Sequence, residues 1–232
     1  MSSPAHKLEV RDLACIRGDR RLFDGVSFTL EPGALLFLGG ANGAGKTSLL
    51  RLLCGLSPAE SGDIRWNGKP IGEQAGAFRG ELCYLGHQNA LQEALTVEEN
   101  LRFLAALGGC TPPQGAIPRA LARLGLHRCE RRFVRQLSQG QKRRVALARL
   151  LLTAATLWVL DEPFVALDTA AVKLVAGLLE EHLARGGMAI YTSHQPVEIA
   201  ARSSRSLQLA ARVATPRLAA RAAASLTAEA AL

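Results

Sequence analysis

The spacing of apolar residues changes several times along the chain, and each change predicts an element boundary. Before residue 90, apolar and polar residues mostly alternate, which is the pattern of half-buried strands. One helical pattern interrupts them: it begins at Lys46 and has Gly55 as its expected C-cap. The predicted strands are residues 7–16, 21–30, the fully apolar 34–40 and 82–88, with a hairpin over 61–71 that turns at Asn67 and Gly68.

From Ala90 to about Ala155 the apolar spacing becomes helical. Thr96 and Glu99 have the spacing of a capping box, and "TPPQG" at 111–115 interrupts the pattern. Later elements are predicted at residues 156–162 (strand), 170–187 (helix) and 188–194 (strand). The pattern therefore predicts an α/β domain over residues 1–209 with an inserted helical subdomain at about 90–155. The Ala/Arg-rich tail, residues 210–232, is expected to be a frayed helix or disordered.

The composition fits one large domain, or a core with a smaller subdomain. The chain has 232 residues, and 48% of them are hydrophobic. No uninterrupted apolar run reaches the ~18 residues of a membrane-spanning helix, and the N-terminus lacks the pattern of a secretion signal. The five cysteines are scattered, without a CxxC pair or metal spacing, so we expect the reduced thiols of a cytoplasmic protein.

The formal net charge of +8 is concentrated around residues 128–149 and in the tail. No aromatic residues interleave with the tail arginines, so the stacking platform of a protein that binds single-stranded nucleic acid is missing. The charge therefore favours a solvated or membrane-facing surface over nucleic-acid binding.

The segment "GANGAGKT" at 40–47 fits the pattern G-x-x-x-x-G-K-[ST] and lies between an apolar strand and a helix, as a phosphate-binding loop requires. Glycine backbone can wrap phosphates with its N–H groups, and the helix start adds a partial positive charge. We expect Lys46 to reach the β- and γ-phosphates of a nucleotide and Thr47 to ligate Mg²⁺. The residues expected to contact the nucleotide here are Gly40, Asn42, Gly43, Ala44, Gly45, Lys46, Thr47 and Ser48.

The apolar run "LWVL" leads directly into Asp161 and Glu162. At the C-terminal end of a strand, Asp161 can hold Mg²⁺ directly or through water. Glu162, the next residue, can orient or deprotonate an attacking water. A strand that ends in two acids is weak support alone, but with the glycine loop it predicts a nucleotide-hydrolysing site.

The segment "LSQGQ" at 137–141 contains more than a helix start requires. Ser138 and Gln141 have the spacing of a capping box, but Gly140 is a poor helix former within the first turn. A hydroxyl beside a residue without a side chain lets the helix start approach a γ-phosphate closely. The segment therefore predicts a second phosphate contact.

In order and spacing, "GANGAGKT", "LSQGQ", "LDEP", "ALD" at 166–168 and "TSH" at 192–194 resemble the ATP-binding-cassette ATPases, over residues 7 to about 209. The resemblance implies a P-loop NTPase core of the α/β class, with an antiparallel β subdomain and the inserted α-helical subdomain. It also implies a homodimer of head-to-tail cassettes, in which Ser138, Gly140 and Gln141 of one subunit contact the ATP held by the other.

The same resemblance implies roles for residues elsewhere in the chain. Gln88 looks like the glutamine that contacts Mg²⁺ and water, Asp168 like the aspartate of the loop between cassettes, and His194 like the switch histidine near the γ-phosphate. The implied catalytic residues are Glu162, His194 and Lys46, and the implied metal contacts are Thr47, Gln88 and Asp161.

Two positions depart from the family pattern. Arg17 stands where cassettes usually place an aromatic residue against adenine; because its planar guanidinium can also stack on a base, we expect it at the nucleotide. The segment "LSQGQ" at 137–141 corresponds to the signature motif of the family, and the predicted helix follows it. Gln139 replaces the glycine that is usual at the third position of this motif, a position at which the family tolerates other residues.

Longer segments narrow the resemblance. "GHQ" at 86–88, "ATLWVLDEPFVALD" at 155–168 and "TSHQP" at 192–196 are together similar to the ATP-binding subunit of the bacterial cytochrome c maturation, or haem export, system. This similarity implies integral membrane subunits as partners and a peripheral position on the cytoplasmic face of the inner membrane. The alternatives are the ATPase of another small transporter (for a lipoprotein, drug or metal), a soluble cassette protein without a transport role, and a degenerate regulatory subunit.

Overall fold

The computed structural model describes residues 6–194 and 196–210. Gln195 and the predicted tail, apart from Ala210, lie outside the described residues. The strands are β1 (Leu8–Arg17), β2 (Arg20–Leu30), β3 (Ala34–Gly40), β4 (Ser61–Trp66), β5 (Lys69–Pro70), β6 (Leu82–Leu85), β7 (Leu157–Leu160), β8 (Met188–Thr192) and β9 (Ser203–Leu209). The helices are α1 (Lys46–Leu53), α2 (Ala75–Gly80), α3 (Val97–Leu107), α4 (Ala116–Arg123), α5 (Gln139–Ala148) and α6 (Thr169–Ala184).

Two sheets form the frame of the protein. Four strands form an antiparallel sheet in the order β2-β1-β4-β5, and β4 and β5 are joined by the predicted turn at Asn67 and Gly68. The other five form a parallel sheet in the order β6-β7-β8-β3-β9. The antiparallel sheet and the parallel α/β core that the resemblance implied are therefore confirmed.

Apart from the edge strand β9, the parallel sheet is buried on both faces, because alternate side chains of β3, β6, β7 and β8 enter two different apolar clusters. Leu157 and Val159 of β7 pack in the cluster that contains the antiparallel sheet and α1. Trp158 and Leu160 of the same strand pack in the cluster that contains α3, α4, α5 and α6. The C-terminal ends of the parallel strands are thus held from both sides, and the residues that follow them have fixed positions.

The helical pattern predicted between residues 90 and 155 is confirmed. The structure has α3, α4, α5 and two 3₁₀ turns in this segment. At the start of α3, the Thr96 hydroxyl accepts a hydrogen bond from the Glu99 N–H at 3.3 Å, and the Glu99 carboxylate accepts one from the Thr96 N–H at 2.8 Å. This is the predicted capping box. Of the helices described, none combines the length and apolar composition needed to cross a membrane.

The apolar spacing did not predict α2 or β9. The side chains of β9 are mostly exposed, with Leu209 the one buried residue of the strand, so its sequence "SSRSLQL" gives no alternating pattern. The strand forms because its backbone pairs with β3, from Ala34 opposite Ser203 to Gly40 opposite Leu209. The structure also ends β6 at Leu85, earlier than the predicted 82–88, which leaves Gln88 in a loop.

His182 on α6 is buried beside the parallel sheet. Its ring stacks on Trp158, with the ring centroids 3.8 Å apart and 8° between the planes. Its Nε2 lies 3.1 Å from the carbonyl oxygen of Thr156 and 3.3 Å from that of Met188. Burial lowers the pKa of His182 below its usual 6.5; the two carbonyl hydrogen bonds oppose this shift, and the charge of Arg185 adds to it.

We expect His182→Gln to make the free energy of unfolding less sensitive to pH below 6.5. The pKa of His182 is lower in the folded chain than in the unfolded chain, so the unfolded chain binds more protons between the two values. This contribution to stability is complete above pH 6.5 and is lost as the pH falls through the folded pKa. Urea unfolding at about pH 5.5 and about pH 7.5 measures the effect.

The matched control is His127→Gln, because His127 is exposed. The control should keep the pH dependence of the wild type. An unchanged pH dependence in His182→Gln would contradict the prediction.

Candidate active site

The glycine-rich loop connects β3 to α1, and a neighbouring strand fixes its first residue. A Cβ placed on Gly40 would lie 2.5 Å from the carbonyl oxygen of Leu209 in β9, so only glycine fits there. Gly45, directly before α1, has a φ of 99°, which favours glycine over any residue with a side chain. No side chain caps the start of α1. The N–H groups of its first turn therefore remain available to an anionic ligand.

Lys46 folds back over this loop. Its Nζ lies 2.7 Å from the carbonyl oxygen of Gly40 and 3.3 Å from that of Ala41. Because a phosphate oxygen is a stronger acceptor for an ammonium group than a neutral carbonyl, phosphates in the loop would compete well for Lys46. The loop residues Asn42, Gly43, Thr47 and Ser48 lie in the same strand-to-helix connection or in the first turn of α1, as predicted, and Ala44 is buried beneath it.

The Asp161 carboxylate connects the start of one helix to the ends of two strands. Its Oδ2 accepts a hydrogen bond from the Thr47 hydroxyl at 2.8 Å, and its Oδ1 accepts one from the Thr192 hydroxyl at 2.7 Å. The residue is 2% exposed. Thr47 is in the first turn of α1, and Asp161 and Thr192 lie at the ends of β7 and β8. The three elements are therefore held together by one carboxylate.

The pair formed by Thr47 and Asp161 fits Mg²⁺, which prefers oxygen ligands and needs few of them from the protein. Among the residues that the structure describes, no group of three or more His, Cys, Asp or Glu side chains could hold a metal ion. Apart from the predicted contact of Gln88, a magnesium ion here would take its remaining ligands from phosphates and water.

Glu162 has a backbone conformation that residues with side chains rarely adopt. Its φ is 52°, in the left-handed region, at a cost of about 1–3 kcal/mol. Three hydrogen bonds hold it: its N–H donates to the Thr192 hydroxyl at 2.8 Å, and its carbonyl accepts from the Arg143 guanidinium at 2.8 Å and from the Val165 N–H at 3.2 Å. The side chain is 10% exposed, and its Oε1 lies 4.0 Å from the Nε2 of His194, which is largely exposed. The carboxylate is thus oriented by its backbone, next to the predicted histidine.

The predicted capping box of α5 is present at the start of the signature helix. Ser138 Oγ accepts a hydrogen bond from the Gln141 N–H at 3.2 Å, and Gln141 Oε1 accepts one from the Ser138 N–H at 3.0 Å. The structure shows that Gly140 is required by packing. A Cβ there would lie 2.7 Å from the carbonyl oxygen of Ala166, so glycine lets α5 pack on the loop that follows Glu162. A ligand is therefore not needed to explain this glycine.

Three predicted residues lie apart from the group around Asp161 or are used locally. Asp168 caps α6, where its carboxylate accepts from the Ala171 N–H at 2.7 Å. Arg17 donates to the Ser57 hydroxyl at 3.1 Å, beyond the C-terminal end of α1. Gln88 is exposed in the loop after β6.

Sequence reasoning missed two residues that organise the site, Thr192 and Arg143. Thr192 stood inside the "TSH" segment, but nothing in the spacing distinguished it from an ordinary strand residue. Arg143 gave a detectable signal. It lies on the same helical face as Ala146 and Leu147 and is 3% exposed, like its apolar neighbours. A charge within an apolar stripe is unusual and calls for buried partners.

The chain is similar to known proteins over most of its length. The family model described as "ABC transporter" matches residues 23–165. A shorter match, to a model described as an AAA domain of a type IV TA system, covers residues 132–200. Among solved structures, an ABC transporter ATP-binding protein from Pyrococcus furiosus superposes with a TM-score of 0.76 at 30% identity, covering 88% of this chain and 97% of that one. The ADP conformation of another ABC transporter cassette superposes with a TM-score of 0.70 at 23% identity, over 83% of this chain and 82% of its own; that likeness concerns the fold alone.

Curated relatives are more similar in sequence. A protein of Albidiferax ferrireducens is 56% identical over 204 residues, which cover 88% of this chain and 97% of the relative. Its name is "Cytochrome c biogenesis ATP-binding export protein CcmA". Proteins with the same name from Dechloromonas aromatica and Salmonella typhi are 55% and 48% identical, each over 87% of this chain and 99% and 96% of their own length.

We expect Thr192→Val to lower the free energy of unfolding by about 2–3 kcal/mol, because it leaves the buried Glu162 N–H and one oxygen of Asp161 without a partner. Thr192→Ser keeps the hydroxyl and should lose only about 1 kcal/mol with the methyl group. Urea unfolding of the two variants without nucleotide measures the difference. A serine variant as unstable as the valine variant would contradict the role of the hydroxyl.

Proposed function

The chain belongs to the ABC transporter ATPase family and to its cytochrome c biogenesis ATP-binding export proteins, and from this premise we propose that it hydrolyses ATP to drive haem export for cytochrome c maturation. The observation that carries the proposal is the group formed by Thr47, Asp161 and Glu162 at the ends of α1 and β7, with Thr192 between the two acids. Haem as the transported molecule is supported by the resemblance of the segments at 86–88, 155–168 and 192–196, and the names of the relatives support export in cytochrome c biogenesis.

The side chains divide the chemistry among them. Lys46 moves from the carbonyls of Gly40 and Ala41 to the β- and γ-phosphates, where it offsets their charge. Thr47, with Asp161 and Gln88 acting directly or through water, holds Mg²⁺, which when bound neutralises charge on the phosphates. Glu162 accepts the proton of the attacking water, and His194 hydrogen-bonds the γ-phosphate beside it.

The complete ATP site is proposed to combine residues from two copies of the chain. Ser138 is exposed, and a hydroxyl that accepts the Gln141 N–H still has a proton to donate to a phosphate. In the proposed head-to-tail dimer, Ser138, Gly140 and Gln141 of one subunit face the γ-phosphate bound by the other. Asp168 lies between the cassettes, and Arg17 stacks on the adenine.

The dimer is proposed to dock on integral membrane subunits at the cytoplasmic face of the inner membrane. The names of the relatives describe them as export proteins, and export across a membrane requires partners that span it. ATP binding and hydrolysis would then change the population of open and closed dimers, and with it the shape of the docking surface.

We expect Glu162→Gln to bind MgATP and to accumulate as a dimer while hydrolysis falls at least ~100-fold, because the amide cannot accept the proton. Light scattering with and without MgATP measures the dimer, and phosphate release measures turnover. In a bacterium that lacks its own homologue, the wild type should restore c-type cytochromes with covalently bound haem, and Glu162→Gln should not.

Two results would change this proposal in different ways. Wild-type turnover in Glu162→Gln would remove Glu162 from the catalytic role. A wild-type chain that is expressed and hydrolyses ATP but restores no cytochrome would contradict the role in cytochrome maturation and leave the ATPase activity intact.

A second prediction concerns the signature serine. Ser138→Asp keeps a good N-cap, so the fold and nucleotide binding by each monomer should survive. The added carboxylate would face the partner's γ-phosphate, so MgATP-dependent dimerisation should be lost through repulsion of like charges. Ser138→Asn, which caps equally well without charge, is the matched control and should still dimerise. The measurement is light scattering in MgATP.

Mixing Ser138→Asp chains with Lys46→Ala chains tests the head-to-tail arrangement directly. A mixed dimer has one intact site, built from the phosphate loop of the first chain and the signature of the second, so pairing should return in part. If Ser138→Asp monomers no longer bind ATP, the signature acts within its own chain and the arrangement is wrong.

A further inference from the structure

Arg143 has an unusual position for a charged side chain. It lies on α5, is 3% exposed, and donates hydrogen bonds to five oxygens from two separate loops. Its Nη2 lies 2.7 Å from the carbonyl oxygen of Asp161 and 2.8 Å from that of Glu162, and its Nε lies 3.3 Å from that of Pro163. Burial lowers the pKa of Arg143, and the charges of Asp161 and Glu162 oppose this shift. An arginine remains charged under such conditions, so it needs these acceptors.

The same guanidinium reaches the loop after β6. Its Nη1 lies 3.2 Å from the carbonyl oxygen of Gly86 and 3.0 Å from Oδ1 of Asn89. This loop contains Gln88, which is proposed to contact Mg²⁺. One side chain therefore connects the signature helix, the backbone of the proposed catalytic base and the loop of the proposed metal contact.

We propose that Arg143 is a positioning residue that fixes the Glu162 carboxylate and the loop of Gln88 relative to the signature helix α5. The inference rests on the proposed function, since Glu162 must be the base for its position to affect turnover.

The backbone of Glu162 shows why such a residue is needed. Its positive φ of 52° is an unfavourable conformation for a residue with a side chain. The Thr192 hydroxyl holds the N–H of Glu162, and Arg143 holds its carbonyl. Without Arg143 the Glu162 carbonyl keeps only the longer bond from the Val165 N–H at 3.2 Å, so the peptide after Glu162 is held less firmly and the carboxylate would move away from the water that it activates.

A second contact ties the same loop to α5. Gly140 lies one turn before Arg143, and the Ala166 carbonyl oxygen lies 2.7 Å from where a Cβ of Gly140 would be. Helix α5 thus contacts the loop after β7 in two places: Arg143 bonds the carbonyls of residues 161–163, and Gly140 packs against the carbonyl of Ala166. A shift of α5 when the partner's nucleotide binds would therefore reach Glu162 through the hydrogen bonds from the Arg143 side chain to the backbone carbonyls of residues 161–163.

Arginine suits this position better than lysine. The planar guanidinium carries five N–H donors in a fixed arrangement, whereas an ammonium group has three on a single atom. A lysine at position 143 could keep the charge but could not satisfy both loops. Arg143→Lys is therefore the informative variant, and Arg143→Gln tests the loss of charge.

The neighbouring Arg144 gives a matched control. It lies on the same helix and donates to the carbonyl oxygens of Leu124 and Gly125, at 3.1 Å and 3.5 Å, outside both loops. Arg144→Lys makes the same chemical change one residue along α5. It should affect the stability of the helix without changing the position of Glu162.

The experiment measures kcat and KM for MgATP, the Kd of a fluorescent ATP analogue and the thermal unfolding midpoint for all variants and the wild type. Arg143→Lys should lower kcat by about tenfold or more, with KM and Kd changed by less than about threefold, because the phosphate loop is untouched while the base is misplaced. Arg144→Lys should keep kcat within about twofold of the wild type. Asn89→Ala removes one of the five acceptors and should lower kcat less than Arg143→Lys does.

Three results would overturn the positioning role. The first is a folded Arg143→Lys that turns over at the wild-type rate, and the second is an equal loss of kcat in Arg144→Lys, which would indicate a general effect of α5. The third is a loss of ATP affinity in Arg143→Lys that accounts for the loss of turnover. If neither Arg143 variant folds, Asn89→Ala alone decides: an unchanged kcat overturns the proposal. Failure of the wild type to hydrolyse ATP would instead contradict the proposed function.

Discussion

The hydrogen bonds to the Asp161 carboxylate are the constraint on which the site depends. A buried carboxylate without partners is very costly, so each of its oxygens must meet a donor. The donors come from α1 and from the end of β8, through Thr47 and Thr192. These elements are far apart in the sequence, and the parallel sheet brings them to one edge. The Asp161 carboxylate therefore fixes the phosphate loop, the proposed metal contact and the proposed base relative to one another.

The second level of organisation is the connection of this edge to α5. The chain after Asp161 turns through the positive φ of Glu162 and is held by Arg143, and it passes so close to Gly140 that a side chain there would clash with Ala166. These contacts tie the signature helix to the acids at the end of β7. In the proposed head-to-tail dimer, such a connection would let the partner's nucleotide influence the position of the base. His194, whose side chain is largely exposed, lies at the same edge, and its Nε2 is 4.0 Å from Oε1 of Glu162.

The three helices whose starts contain predicted site residues, α1, α5 and α6, differ in how their first turns are capped. Ser138 and Asp168 satisfy the first turns of α5 and α6 with their own side chains, whereas α1 begins after Gly45 without a side-chain cap. Phosphates are therefore expected to rely on the first turn of α1, while α5 contributes the exposed hydroxyl of Ser138. This difference is consistent with a nucleotide held mainly by one subunit and contacted by the signature of the other.

The sequence by itself determined the local features of this protein. Both capping boxes, the turn at Asn67 and Gly68, the start of α1 at Lys46 and the acids directly after a buried strand follow from short-range spacing, because caps, turns and alternation depend on residues within one turn or one strand. Only the tertiary structure decided the rest. The strand β9 exists because β3 offers it backbone partners, Gly40 and Gly140 are required by carbonyls distant in the sequence, and Thr192 and Arg143 act through hydrogen bonds across 18 to 57 residues. Such contacts leave no periodic signal, since they depend on which backbone atoms the fold brings within hydrogen-bonding distance.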